Sequence, residues 1–449
     1  MKKGDTITIQ IDQISTDGVG TGTAEGRPVR VPGTVPGDVA EITITRMKRH
    51  CARGKLIALI EAGVERITPP CPHFSVCGGC RWQDIPYPFQ LSMKAGMLKT
   101  ALSGLAGYQC PDVIPVTASP DISYYRNKME FSFDQPPGAA TLSLGLHEPG
   151  RFNAVFDITA CQLESDRSNR IVGEVRRFAR ESGLSAWGLK SHRGLLRYLV
   201  IREGKATGET MVNLVTSGED FPDLDDFSRE LLASVPEITT ILRSINRSPA
   251  ATAVAEERRV VAGDGCIHDR IRDYTFAVSP DSFFQTNTRQ AANLYETIGE
   301  FCRLTGDERV LDLYCGTGTI GISLASRASS VTGIEQVEDA VRDARSNARL
   351  NGIENIEFIA GRVEAILDED MAPYNVVICD PPRAGIHPRA MDRLVRMLVP
   401  RMVYVSCNSA ALSGDLAVLL LAGYRIADIR AFDMSPHTPH IETVVLLER

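Results

Sequence analysis

A cysteine and a carboxylate follow two predicted strands in the last third of the chain. Cys407 lies in the segment Val405-Ser-Cys-Asn, where one strand ends, and Asp380 ends Val376-Val-Ile-Cys-Asp. Ligands of open α/β sheets bind outside the carboxyl ends of the strands, so both side chains could face one crevice. A thiolate there could attack a substrate while a carboxylate moves a proton. Cysteine is also a common core residue, so burial alone would account for Cys407 equally simply.

A glycine-rich turn follows the first strand of the same region. In Asp312-Leu-Tyr-Cys-Gly-Thr-Gly-Thr-Ile-Gly321 the glycines let the backbone approach a nucleotide-like ligand closely. The turn also satisfies the GxGxxG pattern, so a nicotinamide nucleotide stays an alternative. Asp312 at the strand end favours S-adenosylmethionine instead. Glu335, at the end of the second strand, suits the ribose hydroxyls of either ligand.

A methyl donor beside a cysteine predicts methylation of a weakly nucleophilic carbon. C5 of uracil does not attack a methyl sulfonium unaided. Addition of a thiolate to C6 gives C5 carbanion character, and a base must later remove the C5 proton before the thiolate leaves. Cys407 is therefore the candidate nucleophile. Glu442, in Pro439-His-Ile-Glu442, is a possible base, although these residues alone equally suggest a solvated acid at the start of a strand.

Three closely spaced cysteines predict a metal site. Cys71, Cys77 and Cys80 lie too close together in the sequence for chance burial, and a four-thiolate centre needs one more cysteine. Spacing does not choose that cysteine among the remaining eight, and zinc and an iron–sulfur cluster fit equally well. The start of the chain has no signal-peptide core, so we expect a cytoplasmic protein whose eleven cysteines form no disulfide framework.

The N-terminal segment reads as short strands separated by glycine turns. Five strands within residues 5–62 predict a small OB-like barrel, a frequent single-strand RNA binder. The run Arg46–Lys55 holds five basic side chains and no acid, which is typical either of an RNA contact or of a solvated strand face. The net charge of -7 argues against a protein that coats nucleic acid nonspecifically.

The remaining elements predict an α/β protein of three domains. Mixed strands and helices over 110–275 indicate an α+β layer, and regular strand–helix alternation from Asn287 indicates a doubly wound, mainly parallel sheet. The predicted domains are 1–66 (barrel), 67–286 (central) and 287–449 (Rossmann-like). No apolar run approaches membrane length, and no long coiled coil suggests an oligomer, so we expect a monomer.

Seven motifs occur in the order found in one known family. They are CPHFSVCGGCRWQ, YRNKMEF, DSFFQTN, DLYCGTG, DPPRAG, VSCN and PHTPHIETV. With them the whole chain resembles the RNA uracil-5 (5-methyluridine) methyltransferases, in the branch that has an N-terminal TRAM domain and an iron–sulfur cluster. The resemblance implies that the barrel is a TRAM domain and that the central domain carries the cluster.

The resemblance also implies roles for individual residues. Cys161 is similar to the fourth ligand of a 4Fe-4S cluster, beside Cys71, Cys77 and Cys80. Four positions resemble contacts to S-adenosylmethionine: Gln285, Tyr314, Glu335 and Asp380. Cys407 matches the nucleophile and Glu442 the proton acceptor. Methyltransferases commonly have an acidic or amide side chain after the third strand, near the adenine of the methyl donor. This chain has Arg362 at that position.

The branch resembles enzymes of large-subunit ribosomal RNA, so 23S rRNA is the expected substrate, with tRNA as the alternative. Two other classes remain open. Amino-group nucleic-acid methyltransferases have Asp-Pro-Pro-Tyr or Asp-Pro-Pro-Phe where this chain has Arg383, and they need no Cys407. A redox protein would use the cluster with a nicotinamide nucleotide.

Overall fold

The computed structural model describes residues 1–136, 138–368, 371 and 373–449. They form two compact units. The first unit comprises Met1–Pro70, Cys80–Ser119 and Leu367–Arg449, and the second comprises Cys71–Gly79 and Pro120–Ile366. Within these ranges, no helix is both long and apolar enough to cross a membrane.

The first unit begins with a six-stranded β-sheet domain in the strand order β1-β5-β6-β4-β3-β2. Alternating apolar residues such as Ile9, Val29 and Ile42 point to one buried core, as the period of two predicts. The predicted strands are confirmed, with the first one divided in two. The strands are β1 (Thr6–Gln10), β2 (Gln13–Ile14), β3 (Gly20–Ala24), β4 (Arg27–Val31), β5 (Val39–Met47) and β6 (Ala52–Glu61).

Helix α1 (Tyr87–Leu102) follows in the first unit, after Pro86, and short strand β7 (Val116–Thr117) comes next. Trp82, Met93 and Met97 pack with Ile14 of the barrel in one apolar cluster. The turn at Gly18 (φ 75°) lies under Pro439, and a Cβ at Gly18 would come within 2.6 Å of the Pro439 Cβ. The barrel is thus packed into its unit through a shared core.

The second unit contains a seven-stranded sheet in the order β10-β9-β8-β11-β12-β13-β14, with two helices against it and a separate hairpin. The mixed strands and helices expected over 110–275 are confirmed. The elements are β8 (Lys128–Asp134), β9 (Ser143–Glu148), β10 (Arg151–Asp157), α2 (Asp166–Glu181), β11 (Leu196–Glu203), β12 (Thr210–Thr216), α3 (Leu224–Ser234), β13 (Thr240–Ile245), β14 (Glu257–Ala262) and the hairpin β15 (Ile267–Ile271) and β16 (Tyr274–Val278).

The second unit continues with alternating helices and parallel strands. Strand β18 pairs with β17 on one side and β19 on the other, both in parallel, as the strand–helix alternation predicts. The elements are α4 (Thr288–Cys302), β17 (Arg309–Leu313), α5 (Thr319–Ala325), β18 (Ser330–Glu335), α6 (Glu338–Leu350), β19 (Ile356–Ala360) and α7 (Val363–Ile366).

The first unit ends with five paired strands, of which β7 is one. Strands β20 and β21 are parallel, but β23 lies between β21 and β22 and is antiparallel to both. Strand β7 pairs in parallel with β22. The last strand therefore returns as a hairpin. The elements are β20 (Val376–Cys379), α8 (Pro388–Arg396), β21 (Arg401–Ser406), α9 (Ser409–Leu421), β22 (Arg425–Phe432) and β23 (Glu442–Glu448).

Candidate active site

The antiparallel pairing of β21 with β23 brings Cys407 and Glu442 together. Ser406 pairs with Thr443, so Cys407 follows β21 at the end where Glu442 begins β23. Asp380 directly follows β20, the other neighbour of β21. The three side chains interact electrostatically, since both carboxylates raise the pKa of the Cys407 thiol. The structure thus brings a thiol and two carboxyl groups together where β20 and β21 end and β23 begins.

The two carboxyl groups share a buried environment. Burial, followed by the charge of Asp380, raises the pKa of Glu442 well above its ordinary value. Burial also raises the pKa of Asp380. Two like charges in a poorly hydrated site resist ionising together. We therefore expect the pair to retain a proton at a pH where isolated carboxyl groups have lost theirs.

The Cys407 side chain reaches solvent, yet neighbouring atoms still remove much of the hydration that a thiolate needs. This desolvation, with the charges of Glu442 and then Asp380, raises the pKa of Cys407 to about 11. The resting residue is therefore a thiol, and to act as a nucleophile it would have to lose a proton before or during attack. Asn408 follows as the N-cap of α9, and its Oδ1 accepts the N–H of Ala410 at 3.1 Å.

Arg383 affects the pKa of the Cys407 thiol in the opposite direction to the two carboxylates. Its positive charge lowers the pKa of Cys407, and its carbonyl oxygen accepts Asn408 Nδ2 at 2.8 Å. Asp415 of α9 fixes the loop after Arg383, because its Oδ2 accepts the N–H of Ile386 at 2.8 Å. Sequence reasoning noted Arg383 only as the residue that replaces an aromatic. The adjacency of the strands ending at Asp380 and Cys407 was the available signal for its position near the thiol.

Neutralising Arg383 should make Cys407 less reactive near neutral pH. In Arg383→Gln the pKa of the thiol rises further, so the alkylation profile should move to higher pH. Below that pKa, labelling should slow about tenfold for each pH unit by which the profile moves, because the thiolate fraction falls in proportion. Peptide-resolved iodoacetamide labelling between pH 7 and 11 measures this for Cys407 alone.

Two variants serve as controls for this measurement. Arg383→Lys should retain most of the wild-type profile, because it keeps the positive charge. Arg389→Gln, at an exposed arginine of α8, should retain all of it. A profile for Arg383→Gln that matches wild type would contradict the assignment.

The glycine turn in the second unit has the features of a nucleoside site. Gly316 and Gly318 have φ values of 54° and 77°, in the left-handed region that favours glycine. A Cβ at Gly316 would meet nothing within 4 Å, so there is room beside this backbone. Glu335 accepts the N–H of Gly316 at 3.2 Å and that of Val337 at 2.8 Å. An acidic side chain beside an open glycine turn fits the ribose of S-adenosylmethionine.

Gln285 lies in a segment that contacts this turn. Thr317 Oγ1 donates to the carbonyl oxygen of Phe283 at 3.3 Å, and Asn127 Nδ2 donates to that of Gln285 at 2.7 Å. Tyr314, at φ 61°, begins the turn itself. The structure thus brings Gln285, Tyr314 and Glu335 into one region of the second unit, whereas Asp380 belongs to the first unit.

Arg362 follows β19, directly after Gly361, whose N–H donates to the carbonyl oxygen of Glu335 at 2.8 Å. Its guanidinium is exposed and pairs with Glu364, with Nε 2.7 Å from Oε1. The arginine at this unusual position is therefore engaged by a neighbour two residues away.

Cys71 and Cys77, two of the predicted cluster cysteines, lie close enough for their charges to interact. Burial, and to a smaller extent Cys71, raises the pKa of Cys77, whose Sγ accepts the N–H of Gly79 at 3.3 Å. Cys161 is buried and its N–H donates to Asn169 Oδ1 at 2.7 Å, while Cys80 belongs to the first unit. Among the described residues, no group of three or more His, Cys, Asp or Glu side chains could hold a metal ion. The four-thiolate site therefore stays a prediction.

Comparison with known proteins agrees with the chemistry of these sites. The family model of tRNA (uracil-5-)-methyltransferases matches residues 242–449, and the TRAM domain model matches residues 1–57. An uncharacterized RNA methyltransferase of Chlorobaculum tepidum is 39% identical and aligns over 100% of this chain and 97% of its own. Another, from Clostridium tetani, is 37% identical, with 100% and 99% covered.

A solved structure is similar over nearly the whole chain. It is the Pyrococcus abyssi tRNA (uracil-54, C5)-methyltransferase in complex with S-adenosyl-L-homocysteine, at 32% identity and a TM-score of 0.79, and the match covers 98% of this chain and 100% of that one. Neither the nicotinamide-dependent nor the amino-group alternative gains support from these matches. The chain therefore belongs to the S-adenosylmethionine-dependent RNA uracil-5 methyltransferases that carry an N-terminal TRAM domain.

Proposed function

We propose that this enzyme methylates C5 of a specific uridine through a covalent adduct between Cys407 and C6 of the base. The observation that carries the proposal is the juxtaposition of Cys407 with Glu442 across the β21–β23 pair. A nucleophile and a base must both reach one pyrimidine ring, at C6 and C5 respectively. Neither an amino-group transfer nor a hydride transfer needs this combination.

The residues act in a fixed order in this scheme. Cys407, which is exposed, loses its proton to solvent. Its thiolate adds to C6 of the uracil, and the electrons of the C5–C6 double bond form an enolate with carbanion character at C5. S-adenosylmethionine, when bound, would supply the methyl group to C5 and leave as S-adenosylhomocysteine, and we assign its binding to Gln285, Tyr314, Glu335 and Asp380. Glu442 in its carboxylate form then accepts the proton from C5. The C6–S bond breaks with the return of the C5–C6 double bond, and the thiolate leaves.

We propose 23S rRNA as the substrate, and the enzyme would act on it in the cytoplasm as a monomer. The similar Pyrococcus abyssi enzyme is described as acting on tRNA, which keeps tRNA as the second candidate. Mass mapping of 5-methyluridine in both RNA classes from a deletion strain separates them. Loss of one rRNA site supports the proposal, whereas loss confined to tRNA identifies tRNA as the substrate.

We propose the predicted domain division as a division of labour, in which 1–66 binds RNA, 67–286 carries a cluster and 287–449 transfers the methyl group. The barrel supports its part of this scheme. It has a cavity of about 190 Å³ whose lining includes Arg46, Lys48 and Arg53. Arg30 lines it too, but its charge is offset by an ion pair with Asp17. The first three cations are thus available to RNA phosphates.

Removing these three charges should weaken RNA binding and flatten its salt dependence. For Arg46→Gln/Lys48→Gln/Arg53→Gln, the slope of log affinity against log salt should fall by about 0.7 per lost single-strand phosphate contact, so by about 2 in all. Fluorescence anisotropy at several salt concentrations measures it. The matched control Lys2→Gln/Lys3→Gln/Arg27→Gln removes three exposed barrel charges outside the cavity lining. If log affinity falls with log salt concentration equally steeply in the two triple variants, the basic run is a solvated strand face and does not contact RNA.

We also propose that Cys71, Cys77, Cys80 and Cys161 bind a 4Fe-4S cluster, which rests on the sequence motif and on the proximity of Cys71 to Cys77. Anaerobically purified protein should be brown and carry about four irons per chain. Cys161→Ala should lower both the iron content and the thermal stability, because metal binding contributes to folding. Cys110→Ala, outside the motif, should change neither. Stoichiometric zinc without iron would contradict the proposal.

A further inference from the structure

Helix α1 holds the loop that leads to Glu442 through a buried ion pair. Lys94 Nζ donates to Asp433 Oδ1 at 2.5 Å and to the carbonyl oxygen of Ser435 at 3.1 Å. Both charged side chains are 0% exposed. Asp433 is the first residue after β22, and the loop from it ends at Glu442, the first residue of β23. The ion pair therefore fixes the loop where it leaves the sheet.

A buried amide on the same helix fixes the middle of this loop. Gln90 Oε1 accepts the N–H of His437 at 2.9 Å, and Gln90 Nε2 donates to the carbonyl oxygens of Trp82 and Ile85 at 2.9 and 2.8 Å. His437 has a φ of 66°, in the left-handed region, and its carbonyl oxygen accepts the N–H groups of Arg81 and Trp82. The conformation of the loop is thus specified at two points.

These contacts determine the conformation of the β22–β23 loop more than they increase the free energy of unfolding. Desolvating two charges can cost as much as their attraction returns, and apolar residues of similar size often pack at least as stably. A charge-assisted hydrogen bond, however, holds its partners at one distance and angle. A general base needs such placement, since it must lie within hydrogen-bond reach of the proton that it removes.

We infer that Lys94 and Asp433 are positioning residues for Glu442, holding the β22–β23 loop so that the carboxylate meets the C5 proton. The inference rests on the proposed function. It predicts a selective defect, because addition of the Cys407 thiolate to C6 does not use the base, whereas removal of the C5 proton does. A general loosening of the enzyme would slow both steps alike.

The test uses the full-length double variant Lys94→Met/Asp433→Leu, which removes both buried charges together. Tritium release from RNA containing [5-³H]uridine reports on proton removal, and adduct formation with 5-fluorouridine RNA reports on thiolate addition. Because a displacement of about 1 Å costs up to about a hundredfold in rate, we expect tritium release to slow by roughly ten- to a hundredfold. The 5-fluorouridine adduct should form at the wild-type rate. Lys99→Met, at a partly exposed lysine of α1, should leave both rates unchanged.

A second variant, Gln90→Met, removes the His437 contacts without touching a buried charge and should show the same separation of rates. Equal slowing of both steps in these variants, or unchanged tritium release, would overturn the inference. Glu442→Gln is measured in parallel. If it releases tritium at the wild-type rate, the proposed base is wrong. If it stalls while the Lys94–Asp433 and Gln90 variants do not, only the positioning role fails.

Discussion

Cys407→Ala will bind RNA and S-adenosylmethionine but form neither adduct nor product, whereas Glu442→Gln will stall as a protein–RNA conjugate. The variants should differ because, in the proposed mechanism, the two residues act at opposite ends of one covalent intermediate. Without the thiolate, C5 never gains carbanion character. Without the carboxylate, the C5 proton stays in place after methyl transfer and the thiolate is not released. Loss of a general base should slow turnover by about 10²- to 10⁴-fold.

Denaturing gel electrophoresis with labelled RNA measures the conjugate, and mass spectrometry locates it on Cys407. Wild-type enzyme with 5-fluorouridine RNA is the positive control, because fluorine does not leave C5 as a proton does. Cys302→Ala, at a buried cysteine at the end of α4, controls for the loss of an unrelated thiol. If 5-fluorouridine RNA of the correct sequence gives no Cys407-dependent adduct, the covalent mechanism is wrong.

The largest effect on stability is expected from Lys94→Met alone. This change leaves the Asp433 carboxylate buried without its cation, and breaking a buried pair by removing one partner typically costs about 3–5 kcal/mol. The midpoint of urea unfolding should therefore fall markedly. Lys94→Met/Asp433→Leu should recover most of the loss, since neither charge then remains buried.

Lys99→Met is the matched control on the same helix. Its partner Asp112 is fully exposed, and exposed substitutions usually change the free energy of unfolding by within about 0.5 kcal/mol. A single Lys94→Met variant as stable as wild type would show that the buried pair does not couple α1 to the loop. A double variant no more stable than the single one would show that packing, and not the lone charge, causes the loss.

The strand ends that carry the site were predictable from local pattern. Apolar runs ending in Asp380 and Cys407 have short-range signatures, and the parallel strands β20 and β21 align these two ends automatically. The glycine turn after Asp312, in the second unit, has a short-range signature of its own. Glu442 has no such signature. Its place beside Cys407 depends on β23 returning antiparallel between β21 and β22, and strand order is a property of the whole sheet. The residues alone left Glu442 as either a possible base or a solvated acid, and the family resemblance favoured the base.

The residues that hold the site in place were harder still to predict from the sequence. Lys94 and Asp433 are 339 residues apart, and a lysine in a predicted helix is by default a solvated side chain. The interaction of Arg383 with the thiol likewise depends on which strands become neighbours. The four cluster cysteines remain a prediction from motif, because spacing sets which thiols are close in the chain but not where Cys161 lies.

The close approach at Gly18 limits how this enzyme could exchange its TRAM barrel for another one. A Cβ atom there would collide with Pro439, which lies in the loop that leads to Glu442. It would also come within 3.2 Å of Trp82 Cζ2. A barrel transplanted from another protein would therefore have to present glycine, in the left-handed conformation, at that one turn. Without it, the graft would push on the loop that leads to Glu442, the proposed proton acceptor. Exchange of such barrels between proteins is thus limited by the need for a glycine at this turn as much as by any preference for RNA.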